Sequence, residues 1–260
     1  MTSTIPFPFS INTATVKEQW NLRQCVEGCL RHEIPAIAPW RDKVQELGVK
    51  NSARIIKKSG LRVSSLCRGG FFTADGYGNM EDNYRAVDEA AAIGAESLVL
   101  VVGGLAPNSK SLEDARKQIF DSIQILLEYS QKNGVPLALE PLHPMYAADR
   151  CCINTLKQAI DFCEKLGPGI GVVVDVYHTW WDPDLRSQIT RAGKQNLIVG
   201  YHVCDWLVPT TDMLTDRGMI GDGVIDIPSI SKMVLNAGYE GCCEVEIFSE
   251  KNWWKKDADE

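Results

Sequence analysis

Short apolar runs of β type alternate with longer helical patterns from one end of this 260-residue chain to the other. That alternation marks a parallel sheet whose strands are joined by crossover helices. The β-type runs fall near Phe7–Ile11, Ile34–Ala38, Leu61–Leu66, Ser97–Val102, Pro136–Leu139, Gly171–Val174, Ile198–Val203 and Cys242–Glu246. Eight strands with helices between them predict an α/β fold, the (β/α)8 TIM barrel, which takes up residues 1–260 as a single domain. Helical spacing is clearest at Ala115, Ile119, Ile123, Leu126 and Leu127, stopped by Gly134, because residues three or four apart share one helix face. Further helices are predicted over Val16–Leu30, Val49–Ser59, Asn79–Ile93, Asn154–Leu166 and Ile227–Asn236. Only residues 247–260 follow the last strand, too few for an ordinary eighth helix, which is therefore expected to be short or absent.

Composition narrows the class. Apolar residues make up 45% and charged residues 23% of the chain, which is ordinary globular usage and supplies a large core. No apolar run approaches the ~20 residues of a membrane span, and the start, MTSTIPFPFS, has neither the basic nor the apolar region of a signal peptide. A cytoplasmic location and no membrane partner are expected. The net charge of −7 argues against nucleic acid, which favours a basic face, and points to a small-molecule substrate. The nine cysteines include no CxxC pair, so reduced, mostly buried thiols are expected rather than a zinc or redox centre.

The chemistry gathers in the second half. Glu140, Asp175, His202 and Glu246 close or follow the runs PLALE, GVVVD, LIVGYH and CCEVE. In a parallel barrel the carboxyl ends of all strands open on one face, so these four side chains can share one divalent cation. Three carboxylates and an imidazole form a hard, mixed donor set that suits Mn²⁺, with Mg²⁺, Co²⁺ or Fe²⁺ as alternatives and zinc less favoured without thiolates. Any single carboxylate at a strand end is more often a helix cap or a solvated loop residue. Four on consecutive strands outweigh that reading.

His143, His178 and His202 all fall at or just past strands five to seven, and only His32 lies elsewhere. His143, set between Pro141 and Pro144 in EPLHP, is a candidate acid or base, or else a substrate hydrogen-bonder. His178, three residues after Asp175, suits support of a ligand or contact with substrate. Arg68 and Arg217 follow strands three and seven, placed to pair with an oxyanion or hydroxyl oxygens or to make surface salt bridges. Phe71, Phe72, Trp180, Trp181 and Trp206 also follow strands and either stack on a sugar or aromatic group or pack as core. Gly218, Gly221 and Gly223 in DRGMIGDGVID look like a phosphate-cradling loop, but no dinucleotide-type strand and helix surround them, so they read as turn formers.

Together these residues resemble the xylose isomerase-like barrels of the sugar isomerase and epimerase superfamily, which also contains inosose dehydratases and endonuclease IV-type repair enzymes. The resemblance spans nearly the whole chain. It implies metal binding by Glu140, Asp175, His202 and Glu246, a histidine three after the aspartate at His178, and a loop arginine before the last helix at Arg217. Ketose 3-epimerases of the superfamily show EPLNR where this chain has EPLHP. The segments IAPWRD, SSLCRGGFF, EPLHPMYAADR and EIFSEKNWW more closely resemble the larger subunit of bacterial C-glycoside deglycosidases. That resemblance implies a lyase cleaving the carbon–carbon bond of 3-keto C-glycosides, paired with a small β-rich subunit in a hetero-oligomer. Endonuclease IV-type enzymes use three metals and more than the four histidines available here.

The enzyme readings share removal of a proton next to a carbonyl. Catalytic residues are expected among His143, Glu140 and Glu246, and substrate contacts among Arg68, His178, Arg217, Phe71, Trp180 and Trp206. With His143 as base the expected outcome is a lyase acting on a keto-sugar glycoside. With Glu140 and Glu246 on opposite faces of the substrate carbon it is an isomerase, epimerase or inosose-type dehydratase. A binding subunit that keeps the fold without the chemistry is the reading of another class, although such chains usually lose a ligand and all four are present here.

Overall fold

The computed structural model describes residues 5–74 and 79–260. The strands are β1 (Phe9–Asn12), β2 (Ala36–Ala38), β3 (Arg62–Val63), β4 (Leu66–Gly70), β5 (Leu98–Val101), β6 (Leu137–Leu139), β7 (Ile170–Asp175), β8 (Ile198–Val203), β9 (Asp205–Trp206), β10 (Arg217–Gly218) and β11 (Cys243–Val245). Nine of them form one parallel sheet in the order β3-β2-β1-β11-β8-β7-β6-β5-β4 among the described residues. Its two edge strands, β3 and β4, are pieces of one run interrupted at Ser64–Ser65, and the bridge from Trp40 to Cys67 joins the end of β2 to β4. The sheet is thus an almost closed barrel of eight positions, as the strand count predicts. Strands β9 and β10 make a separate antiparallel hairpin above the carboxyl end of β8.

Helices α1 (Leu22–Arg31), α2 (Arg41–Leu47), α3 (Val49–Ser59), α4 (Met80–Ile93), α5 (Leu112–Lys132), α6 (Leu156–Leu166), α7 (Val176–Thr179), α8 (Leu185–Lys194) and α9 (Ile227–Asn236) connect the strands. The predicted helix over Val16–Leu30 begins only at Leu22. There Asn21 accepts from the Gln24 backbone N–H while the Gln24 side chain accepts from Asn21, a capping box that satisfies two end donors at once. Helices α2, α7 and α8 were not expected from apolar spacing, being short or rich in polar residues. No helix among the described residues is long and apolar enough to cross a membrane, and all nine cysteines are free and buried.

Strand periodicity divides the side chains into two sets. On β5, β6 and β7 the residues Leu98, Leu100, Leu137, Leu139, Val172 and Val174 belong to the main core between sheet and helices. Their neighbours Val99, Ala138 and Val173 form a small second cluster with Cys67 inside the barrel. Counting on by two from Ala138 and Val173 gives Glu140 and Asp175, and the same inward phase on β8 and β11 gives His202, Glu244 and Glu246.

After β11 there is no α-helix, only a single 3₁₀ turn at Trp253–Lys255. The last residues lie against the segment before α1 and its C-terminal end instead: Trp254 Nε1 donates to Ala14 O at 2.8 Å, Gln19 Nε2 donates to Trp253 O at 2.9 Å, and Asp259 pairs with Arg31 and His32. Between this segment and α1 lies a cavity of about 260 Å³ lined by Ile11, Val16, Trp20, Cys29 and Trp253.

Candidate metal and substrate site

Glu140, Asp175 and His202 converge at the carboxyl ends of β6, β7 and β8, all at least 95% buried. One ligand atom from each lies within 4.8 Å of the other two. His202 Nδ1 stands 2.9 Å from Glu140 Oε1, yet neither atom has a hydrogen-bond partner, and Asp175 Oδ2 also lacks one. Two buried carboxylate oxygens and a ring nitrogen, none with a hydrogen-bond partner, face one point, an arrangement that calls for positive charge among them. A divalent cation fits that donor chemistry.

Glu246 also turns inward, but its oxygens are engaged: Oε1 accepts from Asn12 Nδ2 at 3.0 Å and Oε2 pairs with Arg217 Nη1 at 3.2 Å. It lies outside the three-residue cluster while lining the same narrow cavity as Glu140. Burial, helped by the negative charge of Glu140 and opposed by Arg217, raises the Asp175 carboxyl to about 6. Burial likewise raises Glu246 to about 7, with Glu140 adding to the rise and Arg217 opposing it. For His202 burial alone would favour the neutral ring, but Glu244, Glu140 and Glu246 outweigh it and hold the imidazole well above its usual range. In the metal-free protein the site therefore gathers protons that a cation would displace.

His178 supports Asp175 from one side. Its Nδ1 accepts from the His143 backbone N–H at 3.2 Å and its Nε2 faces Asp175 Oδ2 at 3.7 Å. Burial, with Arg217 and the other two histidines adding to it, holds the His178 ring well below its usual range and hence neutral. With Nδ1 accepting, the proton sits on Nε2, toward the aspartate.

The structure sets the His143 ring on Trp206, centroids 5.2 Å apart and planes 29° apart, with Trp181 edge-on at 5.9 Å. Burial lowers its pKa, and Nδ1 accepts a long bond from Met145 N–H at 3.3 Å. The cavity beside Glu140 and Glu246 is walled by His178 and not by His143. Trp180 lies 5.9 Å from Trp206, its Nε1 buried without a partner. Arg68 stacks over Phe71 at 4.0 Å, and Arg217 is buried between Tyr177 and Phe248. Of the glycines expected as turn formers, Gly221 is one, with φ +98° and its N–H donated to Asp205, whereas Gly218 lies in strand β10.

Four residues of the site escaped the sequence reading. Asn12 donates to both Glu244 and Glu246. Glu244 lies two positions before Glu246, so the strand period alone signals that it points inward. Tyr146, whose hydroxyl is buried without a partner, and Arg150 line the cavity from the loop after β6; only the fold brings them there. The cavity holds about 40 Å³, room for an ion and a water or two.

A sequence model described as "Xylose isomerase-like TIM barrel" matches residues 24–260. An inosose isomerase of Halalkalibacterium halodurans is 29% identical over 127 residues, which are 47% of this chain and 43% of that protein. The chain spans about half the length of the curated relatives it matches. A protein of Sinorhizobium meliloti 1021 with a crystal structure is 55% identical, with TM-score 0.94 over 98% of this chain and 94% of that one. The IOLI protein, whose crystal structure holds a zinc atom, is 22% identical with TM-score 0.80, over 97% of this chain and 92% of that one. At that identity the likeness is one of fold.

Proposed function

Because this chain belongs to the xylose isomerase-like TIM barrel family, we propose that it is a divalent-metal-dependent enzyme that removes the proton beside a keto-sugar carbonyl, and that on a 3-keto C-glycoside it acts as a lyase. The observation that carries the metal is the trio of unsatisfied ligand atoms of Glu140, Asp175 and His202 within 4.8 Å of one another. Glu246 completes the set by releasing Arg217 or Asn12. The donor set favours Mn²⁺ on chemical grounds, and the zinc reported for IOLI makes Zn²⁺ the comparison to run. When bound there, a divalent cation supplies Lewis-acid stabilisation of negative charge on the substrate's carbonyl oxygen.

The protein's own groups set the rest. A sugar is larger than the 40 Å³ cavity, so the loop bearing Tyr146 and Arg150 moves aside as substrate enters. The unsatisfied Tyr146 hydroxyl and the Arg217 Nε are then donors for sugar oxygens, while Trp180 and Trp206 offer flat apolar faces. His143, kept neutral by burial, takes the C2 proton on Nδ1 once the long Met145 bond yields. The C–H electron pair forms the enolate of the C3 ketone. Its collapse restores C3=O, forms C1=C2 and breaks the bond from C1 to the aglycone, whose carbon takes the electron pair and a proton.

A second reading keeps the first half of this chemistry. If Glu246 or Glu140 removes the proton and the other returns it, the enzyme is an isomerase or epimerase. The similarity to an inosose isomerase and the near-neutral pKa of Glu246 favour it. The test incubates Mn²⁺-loaded protein with a 3-keto C-glycoside, with and without a co-expressed small β-rich subunit, and follows free aglycone by chromatography. Release abolished by chelation and by Glu140→Gln supports the lyase. Deuterium uptake from D₂O into keto sugars without release moves the protein to the isomerase side. Neither signal leaves a non-catalytic binding subunit.

A further inference from the structure

The unpartnered groups of the site fall into two kinds. Glu140 Oε1, Asp175 Oδ2 and His202 Nδ1 make up the side that suits a cation. Apart from that Glu140 oxygen, the buried atoms without partners on the residues that line the adjoining cavity can all donate: the indole N–H of Trp40, the hydroxyl of Tyr146 and the Nε–H of Arg217. Arg150 lines the same cavity and is half-buried. Its guanidinium stands 5.7 Å from the centroid of the Tyr146 ring, and its backbone N–H donates to Tyr146 O at 3.0 Å, so the two residues move together. Among the described residues no carboxylate lies within 4.0 Å of Arg150. The buried Arg217, by contrast, has Glu246 at 3.2 Å, and the half-buried Arg41 has Asp82 and Glu89 at 2.8 and 2.6 Å.

A guanidinium is always charged and donates through five N–H groups while accepting nothing. Glu246 is engaged by Arg217, and Glu140 faces the cation side. The wall formed by Trp40, Tyr146, Arg150 and Arg217 therefore carries donors, and one positive charge, that no described protein group answers. A substrate hydroxyl brings a hydrogen of its own and satisfies such a wall only in part. A carboxylate brings lone pairs and a negative charge, and its two oxygens fit the planar guanidinium fork. We propose that Arg150 is a specificity-determining residue that receives a substrate carboxylate, so that the enzyme takes acidic keto-sugar compounds. The keto sugar rests on the reading above, whereas the carboxylate rests on the donor wall alone. It is carried either by the sugar, as in a uronate, or by the aglycone, and the guanidinium recognises the same group in both.

The test is calorimetry on the full chain, both Mn²⁺-loaded and chelator-stripped, with two pairs of probes. Glucuronate against glucose reports on the sugar, and benzoate against benzyl alcohol on the aglycone. In the wild type one acid is expected to bind at least about 10-fold more tightly than its neutral partner. The pair that shows the preference identifies the part of the substrate that carries the charge. Arg150→Gln should bring that ratio to about 1 without lowering the melting temperature. Arg150→Lys keeps the charge, loses the fork and should retain part of the preference. Where a 3-keto C-glycoside turns over, Arg150→Gln should raise KM for its carboxylate-bearing form at least about 10-fold with little change in kcat. No preference in either pair overturns the proposal. So does a preference that survives Arg150→Gln, because the carboxylate is then held by the cation or by Arg217. A protein that binds no Mn²⁺ and acts on no keto sugar overturns the functional reading instead, and the titrations of the stripped protein still decide the carboxylate.

Discussion

Asp175 illustrates what the site asks of single residues. Its Oδ1 accepts the Tyr177 N–H at 2.7 Å, whereas Oδ2 has no partner and faces the cluster. Asp175→Asn keeps the first bond and removes the buried charge. With the carboxyl raised from 3.8 to about 6, the ionised form destabilises the metal-free fold by about 3 kcal/mol above pH 7. The variant is expected to melt higher than the wild type in chelator at pH 8 and to bind Mn²⁺ at least about 10-fold more weakly, by scanning fluorimetry and calorimetry. Unchanged Mn²⁺ affinity would remove Asp175 from the ligand set. Most residues at this scale were legible: a carboxylate or imidazole that ends an apolar run shows its face through the two-residue period. Tyr146 and Arg150 were not, because a loop has no period and the closeness of their side chains to Glu140 and Glu246 arises only when the barrel closes.

Among the elements, the hairpin of β9 and β10 has the most bearing on the site, since it carries Trp206 and Arg217. Asp205 organises it: its carboxylate accepts from the N–H groups of Trp206, Gly221 and Ile225 at 2.9, 3.0 and 2.9 Å. Gly223 packs so closely that a Cβ there would lie 2.2 Å from Trp206 O. Asp205→Ala leaves the buried Ile225 N–H and the part-buried Trp206 and Gly221 N–H groups without their acceptor and is expected to cost about 1–3 kcal/mol in urea unfolding. A loss below about 0.5 kcal/mol would mean that the loop holds its shape by other means. The glycine-rich stretch was readable as turns from composition. The hairpin was not, because two-residue strands carry too few side chains to show an alternation, and the carboxylate that holds the loop lies 16 residues from Gly221.

For the whole molecule, the buried carboxyls link metal, protons and stability. Asp175 and Glu246 have folded-state pKa values of about 6 and about 7, above their ordinary values of 3.8 and 4.5. The folded metal-free protein thus holds more protons than the unfolded chain from about pH 4 to about pH 7. Their contribution to stability is intact below pH 4 and is lost as pH rises through 6 to 7. A cation that binds the ionised carboxylates reverses this, by about 4 kcal/mol at a thousandfold excess over its dissociation constant. The gap in melting temperature between Mn²⁺-loaded and chelator-treated protein is therefore expected to widen from pH 5 to pH 8. A gap that stays constant would count against both carboxylates as ligands. The sequence by itself determined the eight strand positions and the inward phase of Glu140, Asp175, His202 and Glu246, since each is a local pattern of apolar spacing. Only the tertiary structure decided which of these atoms lie within reach of one another and which are already engaged. It also placed behind His202 a carboxylate held by Asn12, 232 residues away, and by Ser64, 180 residues away. No short-range pattern in a chain can encode contacts that exist only once its first and last strands lie side by side.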